Sequence, residues 1–134
     1  MAKTVLVVDD SFVMRTLIKS ILATEPALEV VGEATNGREA LDAIRRQNPD
    51  IVLLDIEMAG MDGLECLKRL RLISSARVII ISSVAQAGSP QALLARKLGV
   101  DDVIAKPRGA MSLDLDTRKG HAILQAVRKS AEIA

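Results

Sequence analysis

The strongest constraint on the fold is a strict alternation along the chain. Short apolar runs are separated by segments whose apolar residues recur every three or four positions. A strand buried on both faces reads as an unbroken apolar run, and a helix lying on a sheet reads as a stripe of period 3.6. Alternating the two specifies a parallel sheet covered by helices. The runs are Thr4–Val8, Leu28–Ala34, Ile51–Leu54, Val78–Ile81 and Val103–Ala105, the last being the weakest. Ile51–Leu54 is wholly apolar, as a central strand must be.

The helical stripes carry their own boundaries. Met14, Leu17, Ile18, Ile21 and Leu22 form the first, which stops before Pro26. Asn36 offers an N-cap for a helix with Leu41 and Ile44, ending near Asn48-Pro49. Leu64, Leu67 and Leu70 follow a loop over Glu57–Gly63, Ser89-Pro90 opens a fourth helix and Gly99 closes it. A last helix is predicted over Gly120–Ala131 with Ile123, Leu124 and Val127 inward. The expectation is an α/β domain with a doubly wound five-stranded parallel sheet and five helices, spanning 1–134 as one unit. Right-handed crossovers make 2-1-3-4-5 the natural strand order. Residues 108–119 are the one irregular stretch long enough to suggest a linker-derived segment.

Composition removes several functions. With 18 Lys plus Arg against 17 Asp plus Glu, no global charge points to nucleic acid or a membrane surface. The basic groups Arg45-Arg46, Lys68-Arg69 and Arg71 fall in helical stretches and read as solvated faces. Phe12 is the only aromatic residue, too little for a base-stacking platform. No apolar run approaches the roughly 18 residues of a membrane span, and the chain starts directly in a strand. Cys66 is the only cysteine, so no internal disulfide forms and a cytoplasmic setting is expected.

The chemistry-bearing residues all follow predicted strands: Asp9 and Asp10 the first, Asp55 the third, Ser82 the fourth, Lys106 the fifth. Ligands of an open parallel sheet bind at the carboxyl ends of its strands, at the switch point of the strand order. Strands one and three are neighbours there, so Asp9, Asp10 and Asp55 converge. Close carboxylates repel unless a cation lies among them, and an oxygen-only site suits Mg²⁺. A carboxylate is a covalent acceptor for phosphoryl groups, and Asp55, at the end of the most rigid strand, is the best candidate. Lys106 and Ser82 can then bind further phosphoryl oxygens. Each of these residues taken singly is an ordinary turn or loop residue; five on one edge of one sheet is not ordinary.

These pieces, Val7-Val8-Asp9-Asp10-Ser11, Leu54-Asp55-Ile56-Glu57-Met58, Met61-Asp62-Gly63, Ile81-Ser82-Ser83 and Lys106-Pro107, make the chain resemble the receiver domain of bacterial response regulators over essentially its whole length. The resemblance implies a flavodoxin-like fold and phosphorylation of Asp55 by a histidine kinase. It also implies Mg²⁺ bound by Asp9, Asp10, Asp55 and the backbone carbonyl of Glu57, and sensing of the phosphoryl group by Ser82 and Lys106. Charge added near Ser82 and Lys106 by phosphorylation is then expected to repack a surface built from Ser89–Leu98, Val103 and the last helix, one packing of which a downstream protein prefers. Within the family, Asp55-Ile56-Glu57-Met58, Ser82-Ser83-Val84 and Met111-Ser112-Leu113-Asp114-Leu115 are similar to the regulatory domain of chemotaxis methylesterases. No Gly-x-Ser-x-Gly elbow occurs, so no esterase nucleophile is expected. The chain therefore reads as an isolated regulatory domain or a stand-alone regulator. Two positions depart from the family pattern: Ala59 stands where Pro is usual, and Val103 where an aromatic is common.

An aspartyl-phosphate phosphatase of the haloacid dehalogenase type is the enzyme alternative. It needs its nucleophile on the first strand with a second Asp two residues later, where this chain has Ser11. Nucleotide binding fails because the first turn, Asp-Asp-Ser-Phe, has no glycine fingerprint. A receiver-like interaction module that no longer takes phosphate is disfavoured by the intact set of five residues. His121 reads as a solvent-facing residue rather than a phosphotransfer group, and Cys66 as a small buried hydrophobe.

Overall fold

The computed structural model describes residues 2–58, 63–82, 89–105 and 120–132, with the backbone alone at 82, 105 and 121. The elements run β1 (Lys3–Val8), α1 (Phe12–Leu22), β2 (Leu28–Ala34), α2 (Gly37–Gln47), β3 (Ile51–Asp55), α3 (Gly63–Ile73), β4 (Arg77–Ser82), α4 (Pro90–Lys97), β5 (Asp102–Ala105) and α5 (Gly120–Ser130). The strands form one sheet in the order β2-β1-β3-β4-β5, every pair parallel. This is the expected doubly wound sheet, and the element boundaries fall within one or two residues of the sequence pattern. Asp102, one residue ahead of the apolar run Val103–Ala105, opens β5.

Side chains alternate across a strand, so the sheet builds two cores. Val5, Val7, Ile51, Leu53, Ile79 and Ile81 face α1 and α5, where Met14, Ile18, Leu22, Ile123 and Val127 meet them. On the other face Leu6, Val8, Val52, Leu54, Val78 and Ile80 pack against Ala40, Leu41, Ile44, Leu67, Leu70 and Ala95 of α2, α3 and α4. Every residue of β3 is buried, which is why its sequence is unbroken by polar groups until Asp55. Each large aliphatic side chain so buried contributes about 1.5–3 kcal/mol. Cys66 is fully buried beside Gly37, and burial pushes its thiol pKa up to about 11.

Local chemistry sets the helix ends. Ser11 Oγ accepts from Met14 N (3.2 Å), Asn36 Oδ1 from Glu39 N (2.8 Å) and Ser89 Oγ from Ala92 N (3.1 Å), each satisfying a backbone donor that the first turn leaves free. Glu39 accepts in turn from Thr35 N (2.8 Å) and Thr35 Oγ1 (2.7 Å), tying the first turn of α2 back to the residue that follows β2. No helix among the described residues is long and apolar enough to cross a membrane.

Candidate functional site

Strand register and pleat together place the first two carboxylates. Paired residues on parallel strands point to the same face, and the β1–β3 register runs Val5↔Ile51, Val7↔Leu53 and Val8↔Leu54. Carried one residue further, it sets Asp9 beside Asp55, both on the face that holds α1. Asp10 begins the turn into α1. The result is a cluster in which one carboxylate oxygen from each of Asp9, Asp10 and Asp55 lies within 4.8 Å of the others. Asp9 and Asp55 are each 1% exposed, whereas Asp10 is exposed.

The buried pair is held by backbone donors. Asp9 N donates to Ala34 O (3.1 Å) on β2, and its Oδ1 accepts from Ser11 N (2.8 Å). Asp55 Oδ1 accepts from Glu57 N (2.9 Å), which fixes the carboxylate against its own backbone. Two nearly dry carboxylates with a third at the rim form a strongly negative point, and their all-oxygen chemistry fits a small hard cation. Acidic groups of that kind are the donor set Mg²⁺ takes when it keeps some waters of its own.

The other expected site residues divide. β4 carries Ser82 to the same sheet edge: Ile81 pairs with Asp55, and Ser82 pairs with Ala105, the residue before Lys106. The Ser82 side chain and Lys106 itself lie outside the described residues, as do 59–62, with Ala59, and the 108–119 stretch. The side chain of His121 does so too. Glu57 is exposed directly after Ile56 at the end of β3.

Two residues at this edge carry roles that the sequence pattern did not reveal. A Cβ on Gly63 would lie 2.4 Å from Asp55 O and 2.4 Å from Ile56 Cα, and Gly63 N donates to Ile56 O (2.9 Å). Only a hydrogen side chain lets α3 start against the backbone of the Asp55 strand. Arg15 is 8% exposed and donates from Nη1 to Asp9 O (2.7 Å). A polar cavity of about 250 Å³ lined by Lys3, Asp50, Arg77 and Glu132 occupies the opposite edge of the sheet, where the strands begin. It shares no residue with the carboxylate cluster.

Comparison with known proteins agrees with this geometry. The response regulator receiver domain family matches residues 5–118. Among curated proteins, the protein-glutamate methylesterase/protein-glutamine glutaminase 1 of Syntrophomonas wolfei is 50% identical over 113 residues, covering 84% of this chain and 32% of that protein. The corresponding enzyme of Halalkalibacterium halodurans is 50% identical over 112 residues, 84% of this chain and 32% of its own length. The chain thus spans about a third of these relatives. Among solved structures, the response regulator domain of Thermotoga maritima CheB superposes with a TM-score of 0.89 at 34% identity, covering 100% of this chain and 99% of that one. A chain of the complex between the P1 domain of CheA3 and CheY6 from R. sphaeroides superposes with a TM-score of 0.78 at 42% identity, covering 97% of each. Strand order, the carboxylate cluster where β1 and β3 end, and a family match over most of the length converge, and the chain belongs to the response regulator receiver domain family.

Proposed function

We propose that Asp55 is the residue through which this receiver domain switches, accepting a phosphoryl group from the phosphohistidine of a histidine kinase. Receiver domains are phosphorylation-dependent signalling switches of two-component systems, and the relatives point to signalling of the chemotaxis type. The observation that carries the assignment is the convergence of Asp9, Asp10 and Asp55 within 4.8 Å where β1 and β3 end. Of the three, Asp55 alone ends a strand buried along its whole length, so its carboxylate is the most firmly positioned nucleophile.

In the transfer, an Asp55 carboxylate oxygen forms a bond to phosphorus while the phosphorus–nitrogen bond to the kinase histidine breaks. The electron pair leaves with the imidazole. Mg²⁺, held by the carboxylates of Asp9, Asp10 and Asp55 and the backbone carbonyl of Glu57, supplies neutralising charge for the phosphoryl oxygens when bound. Burial of Asp9 and Asp55 keeps water away from one side of the reacting group, and the Glu57 N–H holds the plane of the nucleophile. Lys106 and Ser82 take further phosphoryl oxygens through charge-assisted hydrogen bonds.

The phosphorylated form favours a different packing of the surface formed by Ser89–Leu98, Val103 and α5, and a downstream protein prefers one of the two packings. Exposed Leu93 and Leu94 on α4, and Val103 packed at the edge of the α2–α4 core, support that choice of surface. The methylesterase activity in the names of the relatives belongs to much longer proteins, of which this chain matches 32%, and these 134 residues contain no Gly-x-Ser-x-Gly pattern. A cytoplasmic setting fits the buried free thiol of Cys66.

Mass spectrometry after incubation with acetyl phosphate tests the assignment. Wild type gains one phosphoryl mass in Mg²⁺ and none in chelator, and Asp55→Asn gains none in either. Equal labelling of both proteins would remove Asp55 from this role.

A further inference from the structure

The β1–α1 turn carries half of the proposed metal site, and a buried cation braces it from behind. Arg15, one turn into α1, donates from Nη1 to Asp9 O (2.7 Å) and from Nε to Glu33 Oε1 (2.7 Å). Lys19, one turn further, donates to Glu33 Oε2 at 2.5 Å. The Phe12 ring lies over the same guanidinium, 5.8 Å from ring centre to Cζ.

Glu33 is available for this contact because of an irregularity in β2. The β1–β2 register runs Val5↔Val30 and then Leu6↔Gly32, so Val31 is an extra residue. Up to Val30, even-numbered residues of β2 share the α1 face with Val5; after the bulge, Glu33 pairs with Val7 and takes that face instead. With unbroken alternation Glu33 would point to the α2 side, away from Arg15. Bulges commonly re-aim a side chain beside a functional site, and this one supplies the anion that fixes the fork of Arg15.

We propose that Arg15 is a positioning residue for the metal site, spanning Asp9 O and Glu33 so that Asp9 and Asp10 are presented to Asp55. β2 then holds Asp9 at both ends, directly through Asp9 N→Ala34 O and indirectly through Glu33 and Arg15. A guanidinium suits the task because its planar fork reaches two acceptors at once, which an ammonium on a flexible stem does not. The inference rests on the reading of Asp9 and Asp10 as metal ligands. The brace itself is made of protein groups alone.

The test titrates Mg²⁺ calorimetrically into the full chain and measures amide exchange at Ser11, whose N–H is held by Asp9 Oδ1, in chelator. Arg15→Met weakens Mg²⁺ binding about tenfold, the usual effect of removing a group that orients a metal ligand. Arg15→Lys weakens it nearly as much, because charge without the fork does not span both oxygens. In both variants the Ser11 amide exchanges faster without metal. A melting temperature that falls while Mg²⁺ affinity and Ser11 exchange stay at wild-type values would reduce Arg15 to a structural residue. Full affinity in Arg15→Lys would equally overturn the spanning role. Should Arg15→Met not fold, Glu33→Gln replaces it, with Mg²⁺ binding weakened roughly threefold and Ser11 exchange faster; no change in either refutes the brace. If wild type itself binds no Mg²⁺, the metal reading falls, while Ser11 exchange in chelator still decides whether Arg15 holds the turn.

Discussion

Replacing Gly63 with alanine tests how tightly the start of α3 is seated on the strand that carries Asp55. The added Cβ would stand 2.4 Å from Asp55 O, 2.4 Å from Ile56 Cα and 3.0 Å from Asp55 C, all of them backbone atoms. Ordinary contact needs about 3.5 Å or more between such atoms, so α3 and the end of β3 must part by about 1 Å. No side chain can swing aside to absorb that. Overpacking of this kind costs about 3 kcal/mol, the upper end of its usual range, since backbone has to move. Alanine returns about 1 kcal/mol through its helix propensity. The net loss of about 2 kcal/mol lowers the melting temperature by roughly 6–10 °C for a domain of this size. Chemistry suffers more than stability, because a 1 Å displacement of a reacting group costs on the order of 100-fold in rate. Far-UV circular dichroism suits the melt, since the chain has no Trp or Tyr. Acetyl phosphate labelling followed by mass spectrometry gives the rate. A Gly63→Ala protein that melts within about 1 °C of wild type and labels at the wild-type rate would refute the steric argument.

Removing a carboxylate from the cluster is expected to act in opposite directions with and without metal. Asp10→Ala relieves repulsion and raises the melting temperature in chelator, yet shrinks the rise that Mg²⁺ produces, which for wild type is about 2.7 kcal/mol of stability at 100 times the dissociation constant; an unchanged Mg²⁺-induced rise in scanning calorimetry would contradict this. Glu33 should steepen the acid side of the stability profile. Hydrogen bonds from Lys19 and then Arg15 hold its carboxyl below the ordinary value of 4.5. The unfolded chain therefore binds the proton first, and stability present above pH 4.5 is lost as pH falls through the lowered native value. Glu33→Gln flattens this part of the melting curve against pH and leaves the slope above about pH 6 unchanged. An identical acid slope in both proteins would exclude Glu33 as a source. Glu39 and Asp50, lowered by hydrogen bonds from Thr35 and Thr4, contribute to the slope that remains.

The fold was legible because burial dictates it at nearly every position of the sheet. Ile51–Asp55 is covered on both faces, and no alternative to a central strand tolerates that run. Once β3 is central, right-handed crossovers leave little choice of order, and the observed β2-β1-β3-β4-β5 follows. The weaker signals were those written by polar residues at element ends. Arg77 begins β4 and Asp102 begins β5 because ladder bonds continue past the apolar run: Arg77 N donates to Asp50 O (3.0 Å), and Asp102 pairs with Ile79. Periodicity reports what is buried, so rungs at an exposed strand end leave no trace in it.

The carboxylates were legible for a related reason, since each follows its strand directly and the strand order brings β1 and β3 together. The supports behind them were not. Alternation in Leu28–Ala34 puts Glu33 on the face of Glu29, and only the extra residue at Val31 turns it toward α1. Without that partner, Arg15 is a charged residue beside an apolar stripe, with nothing in the spacing to separate it from Lys19 or Thr16. Its burial depends on three things far apart in sequence: a bulge in β2, a carbonyl at the end of β1 and a helix begun at Ser11. Gly63 is hidden in the same way, as a turn glycine whose necessity comes from the backbone of Asp55, eight residues earlier in the chain. Nucleophile and metal ligands are chosen for their own chemistry and so announce themselves by residue type and place. Residues that position them are chosen for what they touch, and those contacts exist only once the sheet has formed.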